Sequence, residues 1–118
     1  MPRFPFKEGN LMTMKINEVG FEFDIFDVDQ SEAYEKAIEN LSLEEASISA
    51  AKASKKMSEM NRAMISMFRT FFKTATGIDV LATCKNSNAA SEAYYDFIAM
   101  VGKQKAYVVE KYDAKRVR

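Results

Sequence analysis

The side chains with the strongest claim to chemistry are acidic: Asp27 with Asp29, and Glu44 with Glu45, form two close carboxylate pairs. Such pairs do acid–base work when one member is desolvated in a concave site and its pKa is driven away from its neighbour's. These four fall at the start of a helix and on a polar helical face, where both members of each pair stay solvated. Asp24, Asp27 and Asp29 offer the oxygen ligands that calcium takes, yet no glycine stands at the turn position and no glutamate closes a twelve-residue loop. Histidine is absent, which removes the commonest general base, the usual partner of a serine or cysteine nucleophile and the commonest metal ligand. Phosphate-cradling glycine loops and cysteine metal clusters are missing as well. The expectation is a protein that is not an enzyme, with no catalytic residues, no metal and no cofactor.

The other chemistry on offer is electrostatic. Lys52, Lys55, Lys56, Arg62, Arg69 and Lys73 lie on one segment and can track phosphates, with Tyr107 and Tyr112 among basic residues near the C-terminus. A nucleic-acid-binding regulator is therefore an alternative reading. Against it stand the lack of a short helix–turn–helix spacing and an acidic first third that repels a phosphate backbone. From Met14 to Glu45 ten acids face only Lys15 and Lys36, a net charge of −8, whereas Ala46 to Lys85 carries +5 and the C-terminus adds more base. With 17 acids and 17 bases in total, no global field draws the chain to a polyanion. The opposite-charged segments can pair within a chain or between copies.

A chain of 118 residues suffices for one domain with a modest core. A composition of 47% hydrophobic and 29% charged residues is that of a chain that folds. No apolar run approaches the roughly 20 residues of a membrane span, and the N-terminus lacks the pattern of an export signal. Cys84 is the sole cysteine and reads as a reduced thiol, which points to the cytoplasm.

Residues 1–13 differ from the rest, because Pro2, Pro5 and Gly9 interrupt any periodicity. Met12 and Met14 offer later starts, and Lys7-Glu8-Gly9 can be encoded by a purine-rich run resembling a bacterial ribosome-binding site, so this stretch is expected to be a flexible translated leader. Residues 14–112 then form one domain, with a frayed basic tail over 113–118. Met14 to Phe26 predicts a β-hairpin: Phe21, Phe23 and Ile25 alternate with Glu22 and Asp24, and Gly20 is expected to supply positive φ at the turn. Asp29 with Glu32 resembles a capping box, starting a helix near Gln30 with Tyr34, Ala37, Ile38 and Leu41 on its apolar face.

From Leu43 the pattern predicts one long central helix. Leu43, Ala46, Ala50, Ala53, Met57, Met60, Met64, Met67 and Phe71 repeat at alternating spacings of three and four, the seam of a coiled coil. Phe68 and Phe72 widen the stripe before Gly77 stops it. A methionine-rich seam accommodates varied partners, although a methionine stripe at helical spacing is more often core, and Ala46, Ala50, Ala53, Met57, Met60, Met64, Met67, Phe68 and Phe71 are the expected interface where the stripe is not core, for a client or for another copy of the chain. The last helix is expected to begin near Asn88 or Ser91, present Tyr94, Phe97, Ile98, Val101, Val108 and Tyr112 on one face, and run antiparallel to the long helix. Gly102 within it suggests a bend or a close helix contact. The fold class is therefore α+β, mainly α: a β-hairpin packed on a helical hairpin or small bundle, self-associating as a homo-oligomer.

Met14 to Asp29, followed by Glu-Ala-Tyr-Glu-Lys-Ala-Ile, resembles a family of small uncharacterised proteins of Gram-positive siphophages and prophages. Phe71-Phe72 before a turn, Cys84 before the last helix, and Ala93-Tyr94-Tyr95-Asp96-Phe97 within it are similar, whereas Tyr112 to Arg118 departs from the pattern. The resemblance covers residues 14 to about 112. It implies a phage tail assembly chaperone, a cytoplasmic factor in the bacterial host that binds the tape measure protein and keeps it soluble. A structural virion component, such as a connector, is a further alternative.

Overall fold

The computed structural model describes residues 12–51 and 56–116, with side-chain burial described for 14–49 and 56–107. The architecture is α+β and mainly α. Strands β1 (Met12–Ile16) and β2 (Val19–Phe23) form an antiparallel hairpin, and helices α1 (Val28–Ala51), α2 (Met57–Thr76) and α3 (Ser87–Arg116) pack against one of its faces.

Period-two alternation places Met14 opposite Phe21 and buries Met14, Ile16, Phe21 and Phe23 together, while Lys15 and Glu22 are exposed. The connection is a two-residue loop with Asn17 at φ 53° and Glu18 at φ 65°. Two left-handed residues in succession match the right-handed twist of the strands. Positive φ therefore falls on Asn17 and Glu18 and not on Gly20, which lies inside β2 opposite Lys15.

Helix α1 is capped by Asp27, not Asp29. The backbone turns tightly over Asp24 to Asp27, with the Phe26 N–H donating to Asp24 Oδ1 at 2.9 Å. This brings the Gln30 N–H to Asp27 Oδ2 at 3.0 Å and leaves Asp29 in the first turn, where its charge meets the helix dipole. Ala37 and Leu41 are buried and Tyr34 and Ile38 pack against the core, as their spacing predicts.

The long central helix is divided. Helix α1 ends at Ala51, and Lys56 is extended at ψ 156° before α2 begins. The two form an antiparallel hairpin in which Tyr34, early in α1, meets Phe71, late in α2, at 6.5 Å between ring centroids. Folding back lets the apolar faces of α1 and α2 cover each other, which a single rod cannot do. Gly77 then stops α2 as expected, at φ 76°, with its N–H donating to Lys73 O at 3.0 Å.

A return segment, 78–86, buries Val80 and Leu81 and is tied to the hairpin turn by Asn17 Nδ2 donating to Val80 O at 3.0 Å. It carries the chain back to the start of α2, where Ser87 Oγ donates to Asn61 Oδ1 at 2.9 Å. Helix α3 consequently runs parallel to α2 and antiparallel to α1: Tyr94 stacks near Phe68, and Phe97 near Phe72, in the same order along both helices. The antiparallel expectation fails against α2 because the connection is long enough to cross back. Asn86 caps α3 through the Ala89 N–H at 3.0 Å, so the helix starts earlier than Asn88 or Ser91.

The core centres on Phe97. Its ring lies 5.2 Å from that of Phe23, 5.4 Å from Phe72, 5.8 Å from Tyr34, 5.9 Å from Phe71 and 6.1 Å from Phe21. Hairpin and helices thus share one aromatic cluster. Gly102 makes no close contact: a Cβ built on it meets nothing within 4 Å, and the residue is exposed.

Candidate protein-binding surface

The expected methionine seam has two fates. On α2, Met60 and Met67 are buried with Phe68 and Phe71, and Met64 packs against the same core. Met60, Met67, Phe68 and Phe71 face the interior, and Met64 is half-buried beside them. Met57, in the first turn of α2, is 74% exposed. On α1, Ala46 is exposed and Leu43 is 68% exposed. The Ala50 side chain and Ala53 lie outside the described residues.

The two halves differ because the apolar stripe of α1 runs through Tyr34, Ala37, Leu41 and Ile48. Leu43 is two residues from Leu41, about 200° around the helix, and so faces away from the core. The spacings of three and four persist through the sequence, but the break between helices resets the phase at which they meet a neighbour.

A second apolar surface lies at the other end of α1. Ile25, Phe26, Tyr34 and Ile38 line a shallow groove of about 500 Å³, rimmed by Glu35, Glu39 and Lys105. Phe26 is 46% exposed and nearby Val28 is 70% exposed. Burial raises the pKa of the Tyr34 phenol. The sequence signal for Phe26 is its phase: Phe21, Phe23 and Ile25 alternate inward, and Phe26 falls one residue out of step.

The polar side chains serve the scaffold. Gln104 is wholly buried, accepting from the Ile25 N–H at 2.8 Å and donating to Phe23 O at 3.0 Å. Arg69 donates side-on to Asp79, Nε to Oδ1 at 2.8 Å and Nη2 to Oδ2 at 2.6 Å. That hydrogen-bonded guanidinium holds the Asp79 carboxyl below the usual aspartate range and raises the Arg69 pKa in return. Of the basic residues that suit a phosphate track, Arg69 is thus engaged, and Lys52 and Lys55 lie outside the described residues. Asp27 is a helix cap, and among the described residues no three acidic or cysteine side chains gather to hold a metal. Among the same residues no helix is long and apolar enough to cross a membrane.

Residues 17–118 match a family of unknown function, DUF6673. The chain belongs to DUF6673. The match runs through the Tyr112 to Arg118 end. No curated protein and no solved structure matches the chain.

Proposed function

We propose that this DUF6673 protein is a non-catalytic binding factor of the phage tail assembly chaperone kind, acting in the cytoplasm of a bacterial host and keeping the tape measure protein soluble. The observation that carries the reading is the outward placement of Leu43 and Met57, large apolar side chains on regular helices that the monomer leaves uncovered. Both lie in the half of the α1–α2 hairpin away from Phe97. Exposed apolar side chains on a rigid helix pair suit a helical client, whose own apolar stripe packs over them without a specific polar match. The flexible thioether of Met57 tolerates varied client sequences. The resemblance of Met14 to Asp29 to siphophage proteins supplies the identity of the client.

The client surface is therefore narrower than the full seam. Substituting Met60, Met67, Phe68 or Phe71 disrupts the core, whereas Leu43 and Met57 are free to vary. Co-expression with fragments of a tape measure protein tests the reading. Wild type is expected to copurify with them, and Leu43→Glu with Met57→Glu to lose the client while keeping its helical circular dichroism. Failure of wild type to bind any fragment, or undiminished binding by the double variant, overturns it. The engagement of Arg69 with Asp79 weighs against a nucleic-acid regulator, for which salt-sensitive DNA binding is the discriminating measurement.

A further inference from the structure

We propose that the groove beside Tyr34 and Ile38 binds the basic C-terminal end of α3 from a second copy of the chain, giving a two-fold dimer. The groove's helix, α1, and the C-terminal end of the chain carry opposite charge. Asp27 to Glu45 has seven acids against Lys36, net −6, and Lys103 to Arg118 has six bases against Glu110 and Asp113, net +4. Acidic side chains rim the apolar floor on the α1 side, and Glu32 joins Glu35 and Glu39 around Lys36 in a shallow depression next to it. In the C-terminal segment Val108 and Tyr112 are four residues apart in the sequence, interleaved with Lys111 and Lys115. That composition suits a helix whose apolar side enters the groove while its cations meet the rim.

The fold prevents the same chain from satisfying its own groove in this way. Lys105 stands level with Ser31 and Glu35, and α3 runs antiparallel to α1. Beyond Lys105 the axis of α3 continues about 16 Å to Arg116, leading past the start of α1, while Glu39, Glu44 and Glu45 lie in the other direction. From that point the basic end and the acidic stripe separate. A second copy related by a two-fold axis brings each basic end onto the other's acidic groove, covering Phe26 twice. This interface uses different residues from the client surface at Leu43 and Met57, so either proposal can fail without the other.

Light scattering on size-exclusion fractions of the full chain tests it. Wild type is expected to elute as a dimer at low salt and to dissociate as salt rises. Glu35→Lys with Glu39→Lys, and separately Lys111→Glu with Lys115→Glu, are each expected to be monomeric at the concentration where wild type is dimeric. Mixing the two charge-reversed proteins is expected to restore a heterodimer, a readout that a misfolded variant does not give. A monomeric wild type, a dimer that both reversals leave intact, or no heterodimer on mixing overturns the proposal. So does a dimer that is lost on deleting residues 1–11 but not on charge reversal, because the groove then belongs to the N-terminal segment.

Discussion

Gln104 on α3 binds the end of β2 through both halves of its amide, donating to Phe23 O at 3.0 Å and accepting from the Ile25 N–H at 2.8 Å. The ladder ends at the Met12–Phe23 pair, so the Ile25 N–H lies beyond it, and a fully buried amide supplies its acceptor while donating to Phe23 O. Replacing Gln104 by Leu keeps the volume and removes both bonds. Urea unfolding is expected to show a loss of about 1–3 kcal/mol, the cost of leaving the Ile25 N–H without its acceptor. A loss below 0.5 kcal/mol would mean that water replaces the amide there.

The hairpin turn carries strain that a single change relieves. Glu18 at φ 65° places a Cβ where its backbone crowds it, a cost of about 1–2 kcal/mol that glycine avoids. Its ion pair with Lys15, at 3.3 Å, is exposed at both ends and contributes little. Glu18→Gly creates the Asn-Gly pair that such turns favour and is expected to raise Tm by several degrees in a thermal melt. An unchanged or lower Tm contradicts the turn conformation.

Gly102 offers the complementary case. It lies inside α3 with open space around its would-be Cβ. Gly102→Ala is expected to stabilise the protein by about 0.5–1 kcal/mol, through helix propensity and a less flexible unfolded chain. Destabilisation would reveal a contact on that face, such as the neighbouring copy.

Stability is expected to fall in acid partly through Asp79. Its carboxyl titrates below the usual aspartate range because Arg69 hydrogen-bonds the charged form. The contribution is therefore complete above the unfolded pKa and is lost as pH drops through the lower folded value, below about pH 4. Comparing wild type with Asp79→Asn across pH 2–7 checks the sign: the gap between them should close toward the acid end. A gap that widens in acid excludes the assignment.

Much of the fold is legible in local pattern. Alternation around Phe21 and Phe23 finds the hairpin, the Tyr34–Leu41 spacing finds the inner face of α1, and Gly77 marks the end of α2. What local pattern lacks is the path of the chain between elements. Leu43 and Met60 belong to the same three-and-four repeat, yet the reversal of direction from α1 to α2 leaves one outside and puts the other in the core. No residue type marks that reversal, because neither proline nor glycine occurs between Gly20 and Gly77. The parallel course of α3 is likewise invisible, since it depends on where Val80 and Leu81 pack. Of the surface proposed for the client, Met57 belongs to the expected interface and Leu43 only to the repeat, and the groove at Phe26 is marked in the sequence by nothing but that residue's break from the alternation before it.

Hydrogen exchange of the full chain, with and without a tape measure fragment, tests the division of the methionine seam most directly. Amides around Leu43 and Met57 are expected to gain protection when the client is present, while those from Met60 to Phe71 exchange slowly in both samples. Fast exchange across Met60 to Phe71 in the free protein, or protection by the client confined to that stretch, would contradict it.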